Sequence, residues 1–412
     1  MASVVESTIR KMTRLAIEYD AINLSQGMPN EPPPNSLKLA LCQSVLSGKA
    51  GMGEEITEET LREQISSVVG DSGDVVNQYS PPMGRPDVRR AVSNHYRRLY
   101  AFDVDPEQVT ITLGATEAMA SALRTIGKPG DKIVIFEPFH ELYPNQCGLF
   151  FLDPAYVTIK FQEGAGWQYD RAELRSCLQG ARALILNTPH NPTGKVFSNE
   201  ELSEIVSWCE EFNVFIITDE IYEHMIYNGQ KHVFLPKEFP QIKSRVFICN
   251  SIGKSASATG WRLGWCIHPP GFTETYRSVH EQLAVMSPHP MQVACLTYFN
   301  FPDEYFGSHL QTKYVGRVRK LAKTLSEVGF HVEEPDGAYY LFARYRSVAA
   351  LSKMPTVEAA LYMVKEVGVA CVPGTAFYGK ASDGELYLRF SACRSANDID
   401  EGCRRLKTRL LT

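Results

Sequence analysis

Short runs of apolar and β-branched residues recur along the first two thirds of the chain, and amphipathic patterns typical of helices lie between them. Six runs are apolar at nearly every position and predict strands buried on both faces: residues 108–114, 132–138, 183–189, 214–220, 246–251 and 263–269. Residues 117–126 and 199–211 predict crossover helices, and Ser198 is a good N-cap for the second. The pattern therefore predicts an α/β fold with a mostly parallel, helix-covered sheet.

The last third of the chain has a different pattern. A long helical pattern over about 306–328 precedes shorter apolar runs at 331–335, 338–345, 369–374 and 385–391. These elements predict a smaller α+β domain. The predicted division is an N-terminal arm with part of the small domain at 1–47, an insertion or cap at 48–75, a large domain at 76–305 and the small C-terminal domain at 306–412. The insertion is acidic and glycine-bounded, with a predicted short helix at 58–68.

Polar residues collect where the predicted strands end. In open α/β sheets, ligands bind beyond the carboxyl ends of the strands, so we expect these side chains to share one site. The residues that close or follow the first five runs are Thr116, His140, Asn191, Asp219, Ser251 and Lys254.

The segment SIGKSASATGWRLGW, residues 251–265, combines three groups that suit pyridoxal 5′-phosphate (PLP). Lys254 offers an amine for a Schiff base with the cofactor aldehyde, while Ser251 and Arg262 offer a hydroxyl and a permanent cation for its phosphate. The same letters fit the Ser-x-x-Lys motif of serine hydrolases, but the chain lacks the SDN and KTG motifs of that class. They also resemble the end of a phosphate-binding loop, whose first glycine would fall at Ile248.

Composition excludes several classes of function. The net charge of −5 gives no basic field for nucleic acid or an anionic membrane surface, so neither is a predicted partner. Ten cysteines occur without a CxxC pair, which predicts a reducing compartment and no metal site. No apolar run reaches the roughly 18 residues of a membrane span. The N-terminus predicts a first helix rather than a targeting segment, and a cytoplasmic protein.

Eight motifs occur in the order known from one enzyme family: NLSQGMPNEPPP, NQYSPPMGRPDVRRA, EPF, NTPHNPTGKVFS, ITDEIYEHMIY, ATGWRLGW, VPGTAFYG and YLRFS. On these motifs the chain resembles the class I/II aminotransferases of PLP fold type I, most closely the kynurenine and glutamine transaminase-like branch. The resemblance runs nearly end to end. It implies a large domain with a mostly parallel sheet and a smaller α+β domain.

The resemblance also implies roles for residues around the cofactor ring. Lys254 corresponds to the lysine that forms the internal aldimine and shuttles the proton between substrate and cofactor. Asp219 corresponds to the partner of the pyridinium nitrogen, which keeps the ring able to accept electrons. Asn191 and Tyr222 correspond to the pair that hydrogen-bonds the phenolic oxygen, and we assign Tyr222 to the catalytic set with Lys254 and Asp219.

Further residues match the family positions that hold the phosphate. They are Ala115, Thr116, Ser251 and Arg262 in the same subunit. Tyr79 matches a tyrosine that reaches the phosphate of the neighbouring subunit, so the resemblance implies a homodimer with shared active sites.

Substrate binding is assigned by resemblance too. Arg389 matches the arginine that grips the α-carboxylate of amino and 2-oxo acids through two parallel hydrogen bonds. Gly27 lies where the family closes its N-terminal segment over that carboxylate, and Asn191 belongs to the same set. Candidates for the pocket walls are Met28, His140, Tyr143, Tyr339 and Phe377.

The chain departs from the family pattern at position 140, where an aromatic ring normally stacks on the cofactor. His140 can stack as a neutral ring, which we favour, or take part in proton transfer. Transamination of an L-amino acid with a 2-oxo acid is the predicted reaction. The alternative is a biosynthetic PLP enzyme that eliminates, replaces, cyclises or oxidises, favoured by His140 and the insertion. A noncatalytic regulator is disfavoured because the sequence shows no helix-turn-helix extension or basic arm.

Overall fold

The computed structural model describes residues 7–47 and 76–411, so the predicted insertion at 48–75 and its helix at 58–68 lie outside the described residues. In chain order the strands are β1 Ile22–Asn23, β2 Val109–Thr112, β3 Lys132–Glu137, β4 Asp153–Gln162, β5 Gly166–Tyr169, β6 Ala183–Asn187, β7 Phe215–Asp219, β8 Val246–Ser251, β9 Gly264–Ile267, β10 Tyr340–Arg344, β11 Val369–Ala370, β12 Val372–Pro373 and β13 Tyr387–Ser391.

Helices cover the sheets and join the strands. In chain order they are α1 Thr8–Glu18, α2 Asn35–Ser47, α3 Pro86–Tyr100, α4 Gly114–Ile126, α5 Leu142–Leu149, α6 Arg171–Leu178, α7 Asn199–Glu211, α8 Leu235–Glu238, α9 Ile252–Ser255, α10 Thr273–Ala284, α11 His289–Phe299, α12 Leu310–Glu327, α13 Thr356–Tyr362 and α14 Ala396–Leu410. A π-helical turn, Tyr305–His309, precedes α12.

Eight strands form the central sheet in the spatial order β2, β9, β8, β7, β6, β3, β4, β5. The pairings β8 with β7, β7 with β6, β6 with β3 and β3 with β4 are parallel, whereas β2, β9 and β5 run antiparallel to their neighbours. Helices pack on both faces, α4 and α10 on one and α3, α7 and α11 on the other. The predicted α/β class with a mostly parallel sheet is confirmed.

All six predicted strand runs are strands of this sheet, and β4 and β5 are strands that we did not predict. The six runs are buried at nearly every position, which gives them an uninterrupted apolar signal. The β4–β5 hairpin lies at the sheet edge and is only partly buried, so its sequence mixes polar and apolar residues. Its stability depends on pairing with β3, a contact that no local pattern carries.

Two crossover helices were predicted from their periodicity. Helix α7 begins and ends at the predicted residues, and Ser198 caps it in a reciprocal capping box with Glu201. Helix α4 extends three residues further towards the N-terminus than predicted, because it starts at Gly114 directly after β2. Its N-terminus therefore lies at the carboxyl edge of the sheet.

A second hydrophobic core lies between the N-terminal and C-terminal segments. Strands β10, β13 and β12 form an antiparallel sheet, and β1 pairs with β11. Met12 and Leu24 from the N-terminal segment are buried in this core with residues of α12 and α14. Helix α2 instead packs against α11 of the larger part. The domain boundaries given above stay a prediction.

One C-terminal strand was predicted wrongly. Residues 331–335 do not form a strand, and only His331 makes an isolated antiparallel bridge, to Arg344. The charged residues Glu333 and Glu334 in this run oppose the burial that a strand beside β10 would require. The run 369–374 forms two short strands, β11 and β12, that pair with different partners.

None of the helices in residues 7–47 and 76–411 is both long enough and apolar enough to cross a membrane. All ten cysteines lie within these ranges and are free thiols, most of them buried. They therefore act as small apolar side chains of the core.

Replacing Ser198 by alanine should lower the free energy of unfolding by about 1 kcal/mol, because the Glu201 backbone N–H loses its acceptor. Urea denaturation followed by circular dichroism measures the change. Ser326→Ala, at an exposed position within α12, is the matched control and should leave stability nearly unchanged. An equal loss in both variants would contradict the capping role.

Candidate active site

The candidate site lies at the carboxyl edge of the central sheet, where β6, β7 and β8 end side by side. Asn187, the last residue of β6, holds two parts of this edge together. Its side-chain amide donates to the Asp219 backbone carbonyl at 2.9 Å, and its Oδ1 accepts from the Asn191 backbone N–H at 2.7 Å. The loop after β6 and the end of β7 are thereby held in one arrangement.

Lys254 lies in the short helix α9, directly after β8. Its Nζ donates a hydrogen bond to the Gly27 backbone carbonyl at 2.6 Å. Burial lowers the pKa of Lys254 to about 8, with opposing influences from the anionic form of Cys393 and from Asp219, and a further lowering by Arg262 and Arg389. Because that pKa is close to neutral pH, the amine can give up its proton at little energetic cost.

Asp219 is the last residue of β7 and is buried. The Tyr143 hydroxyl donates to its Oδ2 at 2.8 Å. Burial raises the pKa of Asp219 to about 6, and the Tyr143 hydrogen bond and the positive charge of Lys254 only partly offset this effect. The positive charge near the carboxylate is therefore too small to keep its pKa low. A protonated ring nitrogen beside it would add the missing positive charge.

Tyr222 follows β7 by three residues and its hydroxyl lies 2.8 Å from the Tyr340 hydroxyl. Both rings are buried. The guanidinium carbon of Arg389 lies 4.5 Å from the centre of the Tyr340 ring and 4.8 Å from that of Phe377, so cation–π contacts hold it from two sides. This arrangement joins the Tyr222 hydroxyl to the surroundings of Arg389.

Arg389 lies in β13 and is almost completely buried. Its Nη1 donates to Asn191 Oδ1 at 2.9 Å and its Nη2 donates to the Ser25 backbone carbonyl at 2.6 Å. Its Nε has no hydrogen-bond partner among the described residues. A buried cation with only neutral acceptors and one unpaired donor suits an incoming carboxylate.

The N-terminus of α4 and Arg262 form a second polar cluster. A Cβ on Gly114, which has φ +77°, would lie 2.8 Å from Arg262 Nη2, so glycine permits this close approach. Arg262 Nη2 also donates to the Leu113 carbonyl at 3.2 Å. Ala115 is buried, whereas Thr116 and Arg262 are exposed and Ser251 is half-buried. A helix N-terminus beside a guanidinium suits a phosphate.

Two predicted site residues differ from the others: Tyr79 lies apart from these clusters, and His140 has a ring nitrogen without a hydrogen-bond partner among the described residues. Tyr79 is 81 % exposed and makes no contact with Lys254, Ser251 or Arg262 within the described residues. His140 is half-buried, and its Nδ1 atom is buried without a partner among those residues. Burial, Arg389 and Lys254 lower the pKa of His140 to about 3, so the ring is neutral at neutral pH.

Three residues that complete these clusters were not assigned these roles by the sequence. Tyr340 pairs with Tyr222, Asn187 holds the strand ends, and the Ser25 carbonyl accepts from Arg389. The hydroxyl of Tyr340 within an otherwise apolar strand was the one available signal. Tyr143 and Phe377 were considered only as pocket walls, and they contact Asp219 and Arg389 instead.

Comparisons with known proteins show the family and the fold of the chain. Residues 36–406 match the family model described as aminotransferase class I and II. The chain is 29 % identical to human kynurenine–oxoglutarate transaminase 1, covering 97 % of this chain and 96 % of the relative. Its fold is similar to that of N-succinyldiaminopimelate aminotransferase from Mycobacterium tuberculosis, with 30 % identity, a TM-score of 0.87 and coverage of 98 % and 97 %. An Escherichia coli protein with a methionine aminotransferase function gives 26 % identity, a TM-score of 0.86 and coverage of 99 % and 98 %.

Replacing Gly27 by alanine should displace the N-terminal segment, since the added Cβ would lie 1.8 Å from the Tyr340 hydroxyl oxygen. Lys254 then loses its carbonyl acceptor, and its acetylation by a small reagent should become roughly fivefold faster, as expected for losing one hydrogen bond. Peptide mass spectrometry measures the rate of Lys254 acetylation in protein that has been dialysed to remove bound small molecules. Gly271→Ala, where no atom would lie near the Cβ, is the control. Equal rates in both variants would contradict the contact.

Replacing Asp219 by asparagine should stabilise the protein, dialysed to remove bound small molecules, by about 3 kcal/mol at pH 7. The folded-state pKa of Asp219, about 6, is above the unfolded value of 3.8, so the folded wild type binds more protons between these values and loses stability as pH rises. The advantage of the variant should vanish below about pH 4. Urea denaturation from pH 4 to 8 measures it, with the exposed Asp103→Asn as control. A constant difference across this range would contradict the assignment.

Proposed function

Because the chain belongs to the class I and II aminotransferases, which are enzymes that transfer amino groups, we propose that it moves the amino group of an L-amino acid to a 2-oxo acid. The observation that carries the proposal is the meeting of three charged groups at one edge of the sheet. They are the Lys254 amine with its lowered pKa, the Asp219 carboxylate and the buried Arg389. Together they suit a substrate that carries an amine and a carboxylate on one carbon.

We infer PLP as the cofactor, and the described residues fit it. Asp219 is a buried carboxylate short of positive charge, the N-terminus of α4 with Arg262 suits a phosphate, and His140 Nδ1 is an unpaired buried atom beside Lys254. Lys254 would hold the cofactor through its amine, and Asn191 and Tyr222 would hold its phenolic oxygen. When bound, PLP supplies an aldehyde that reacts with amines and a ring that accepts electron density from the α-carbon.

The residues of this chain have separate tasks in the proposed reaction. Arg389 binds the α-carboxylate, and its contacts with Tyr340 and Phe377 fix the direction of the guanidinium. Lys254 takes up and returns a proton at Nζ, since its pKa of about 8 allows both forms near neutral pH. The Gly27 carbonyl orients Nζ, and the N-terminal segment that carries it keeps water from the site.

A homodimer with shared active sites is part of the proposal. Tyr79 is exposed and lies beside a cavity of about 290 Å³ lined by Asn77, Met286, His289 and Pro290. Val285 is also exposed, next to Met286. An exposed apolar surface of this kind is expected where a second copy packs, and it supports the proposal that Tyr79 serves the neighbouring subunit. The ten free thiols support a reducing compartment such as the cytoplasm.

The absorbance of the purified holoenzyme, titrated with single amino acids, tests the function. Kynurenine, methionine and N-succinyldiaminopimelate are the donors to start with, because relatives act on substrates of these names. We expect one donor to convert the cofactor band, and 2-oxoglutarate to restore it while the donor becomes its 2-oxo acid. A cyclised, eliminated or oxidised product formed without an acceptor would contradict transamination.

Lys254→Ala should lower turnover by at least about a thousandfold, because the proton-transferring amine is lost. Cofactor binding should remain measurable by equilibrium dialysis, since the phosphate contacts are unchanged. Lys237→Ala, at an exposed position, is the control and should keep wild-type turnover. Turnover of Lys254→Ala near the wild-type rate would contradict the role of Lys254.

A further inference from the structure

Three histidines, each with at least one buried and unpaired ring nitrogen, lie around two buried glutamates close to the end of β7 and the turn that follows it. His95 in α3 is 2 % exposed, and neither of its ring nitrogens has a hydrogen-bond partner among the described residues. His224 Nε2 and His232 Nδ1 are likewise buried without such a partner. Buried polar atoms are rarely left unpaired in folded proteins, so this concentration of unpaired ring nitrogens points to a ligand-binding role.

The cluster has the donor atoms and spacing of a metal site. One ligand atom each from His95, Glu223 and His224 lies within 4.8 Å of the others, and a second set of Glu220, Glu223 and His232 shares Glu223. His224 Nε2 lies 3.4 Å from Glu223 Oε1. Ligand atoms around a tetrahedral zinc ion, each about 2.1 Å from the metal, are themselves roughly 3.4 Å apart.

We propose that His95, Glu223 and His224 bind one divalent transition-metal ion, with Zn²⁺ as the best fit. Imidazole and carboxylate ligands suit zinc, and three protein ligands leave a fourth position for water. Of the two buried glutamates, Glu220 is already contacted by His232 Nε2 at 3.2 Å, so Glu223 is the one whose carboxyl group is available to the ion. The nearby Arg98 does not pair with these glutamates, because its guanidinium pairs with Asp303 at 2.9 Å.

Hydrogen bonds around Glu223 would fix its orientation towards the ion. The Tyr100 hydroxyl donates to Oε2 and the Asn250 side-chain amide donates to Oε1. Such outer contacts commonly orient carboxylate ligands. His95 also packs edge-on against Phe299 and Phe306, with ring centres 5.5 and 4.8 Å away, so the site is closed to bulk solvent and the ion, with any water bound to it, would enter during folding.

The place of the cluster gives the ion a structural role in the enzyme. Glu223 and His224 belong to the same turn as Tyr222, directly after Asp219 at the end of β7, whereas His95 belongs to α3. A shared ion would fasten this turn to α3 and hold Asp219 and Tyr222 in place. The sequence alone showed no metal motif because His95 is separated from Glu223 by more than a hundred residues.

The metal content of holoenzyme produced without a histidine tag, in medium with added Zn²⁺, tests the proposal. After a chelator has removed metal ions bound at the protein surface, inductively coupled plasma mass spectrometry should find about one zinc ion per chain. Growth with Co²⁺ should give a protein with visible cobalt absorbance. Crystal diffraction above the zinc edge should place the anomalous peak between His95, Glu223 and His224. Zinc-free protein, or a water without anomalous signal there, would overturn the proposal.

Variants assign the metal to these ligands. Glu223→Gln keeps the shape of the side chain and should reduce bound zinc at least about tenfold, and His95→Phe should do the same while suiting the aromatic surroundings. His331→Ala, at an exposed histidine, is the control and should keep its zinc. Folding is checked by circular dichroism, and if either variant fails to fold, the wild-type metal content and diffraction still decide. Full zinc content in both folded variants would overturn the assignment.

Discussion

The burial of charged side chains at the carboxyl edge of the central sheet is the constraint on which the rest of the structure depends. Asp219 and Arg389 are both buried, and each unpaired charge in such surroundings costs several kcal/mol. The surrounding segments compensate with backbone carbonyls and hydroxyl groups, such as the Ser25 carbonyl and the Tyr143 hydroxyl of α5. This compensation is incomplete, so burial still raises the pKa of Asp219 to about 6. A cofactor and a substrate of the proposed kind would complete it.

The N-terminal segment connects this edge to the second core. Leu24 is buried in the second core and its carbonyl accepts from the Ser391 N–H in β13 at 2.8 Å, so the segment is fixed to the strand that carries Arg389. One and three residues later, the Ser25 and Gly27 carbonyls accept from Arg389 and Lys254. A single stretch of chain therefore orients both the proposed carboxylate-binding group and the proposed proton-transferring group. Displacing it would disturb both functions together.

How much of this could be predicted from sequence depends on the range of the interactions. The six buried strands and α7 with its Ser198 cap are fixed by local patterns, and the sequence predicted them. The proximity of Asn191, Asp219 and Lys254 was predictable because parallel strands end at one edge. Tyr340 and the β4–β5 hairpin were not, because their roles come from contacts between distant segments. The proposed role of Tyr79 requires a second copy of the chain, which no pattern within one chain can position.

His140 shows how the same electrostatics limit the chemistry that one unusual residue can perform. Burial, together with the positive charges of Arg389 and Lys254, lowers the pKa of His140 to about 3, so the ring is not protonated near neutral pH. The ring of His140 is therefore neutral, like that of a phenylalanine, but it has two nitrogen atoms. Its unpaired Nδ1 can accept or donate one hydrogen bond inside the site. Selectivity for a polar group on the substrate is a role for which that nitrogen is suited, whereas general acid catalysis by a protonated ring is not.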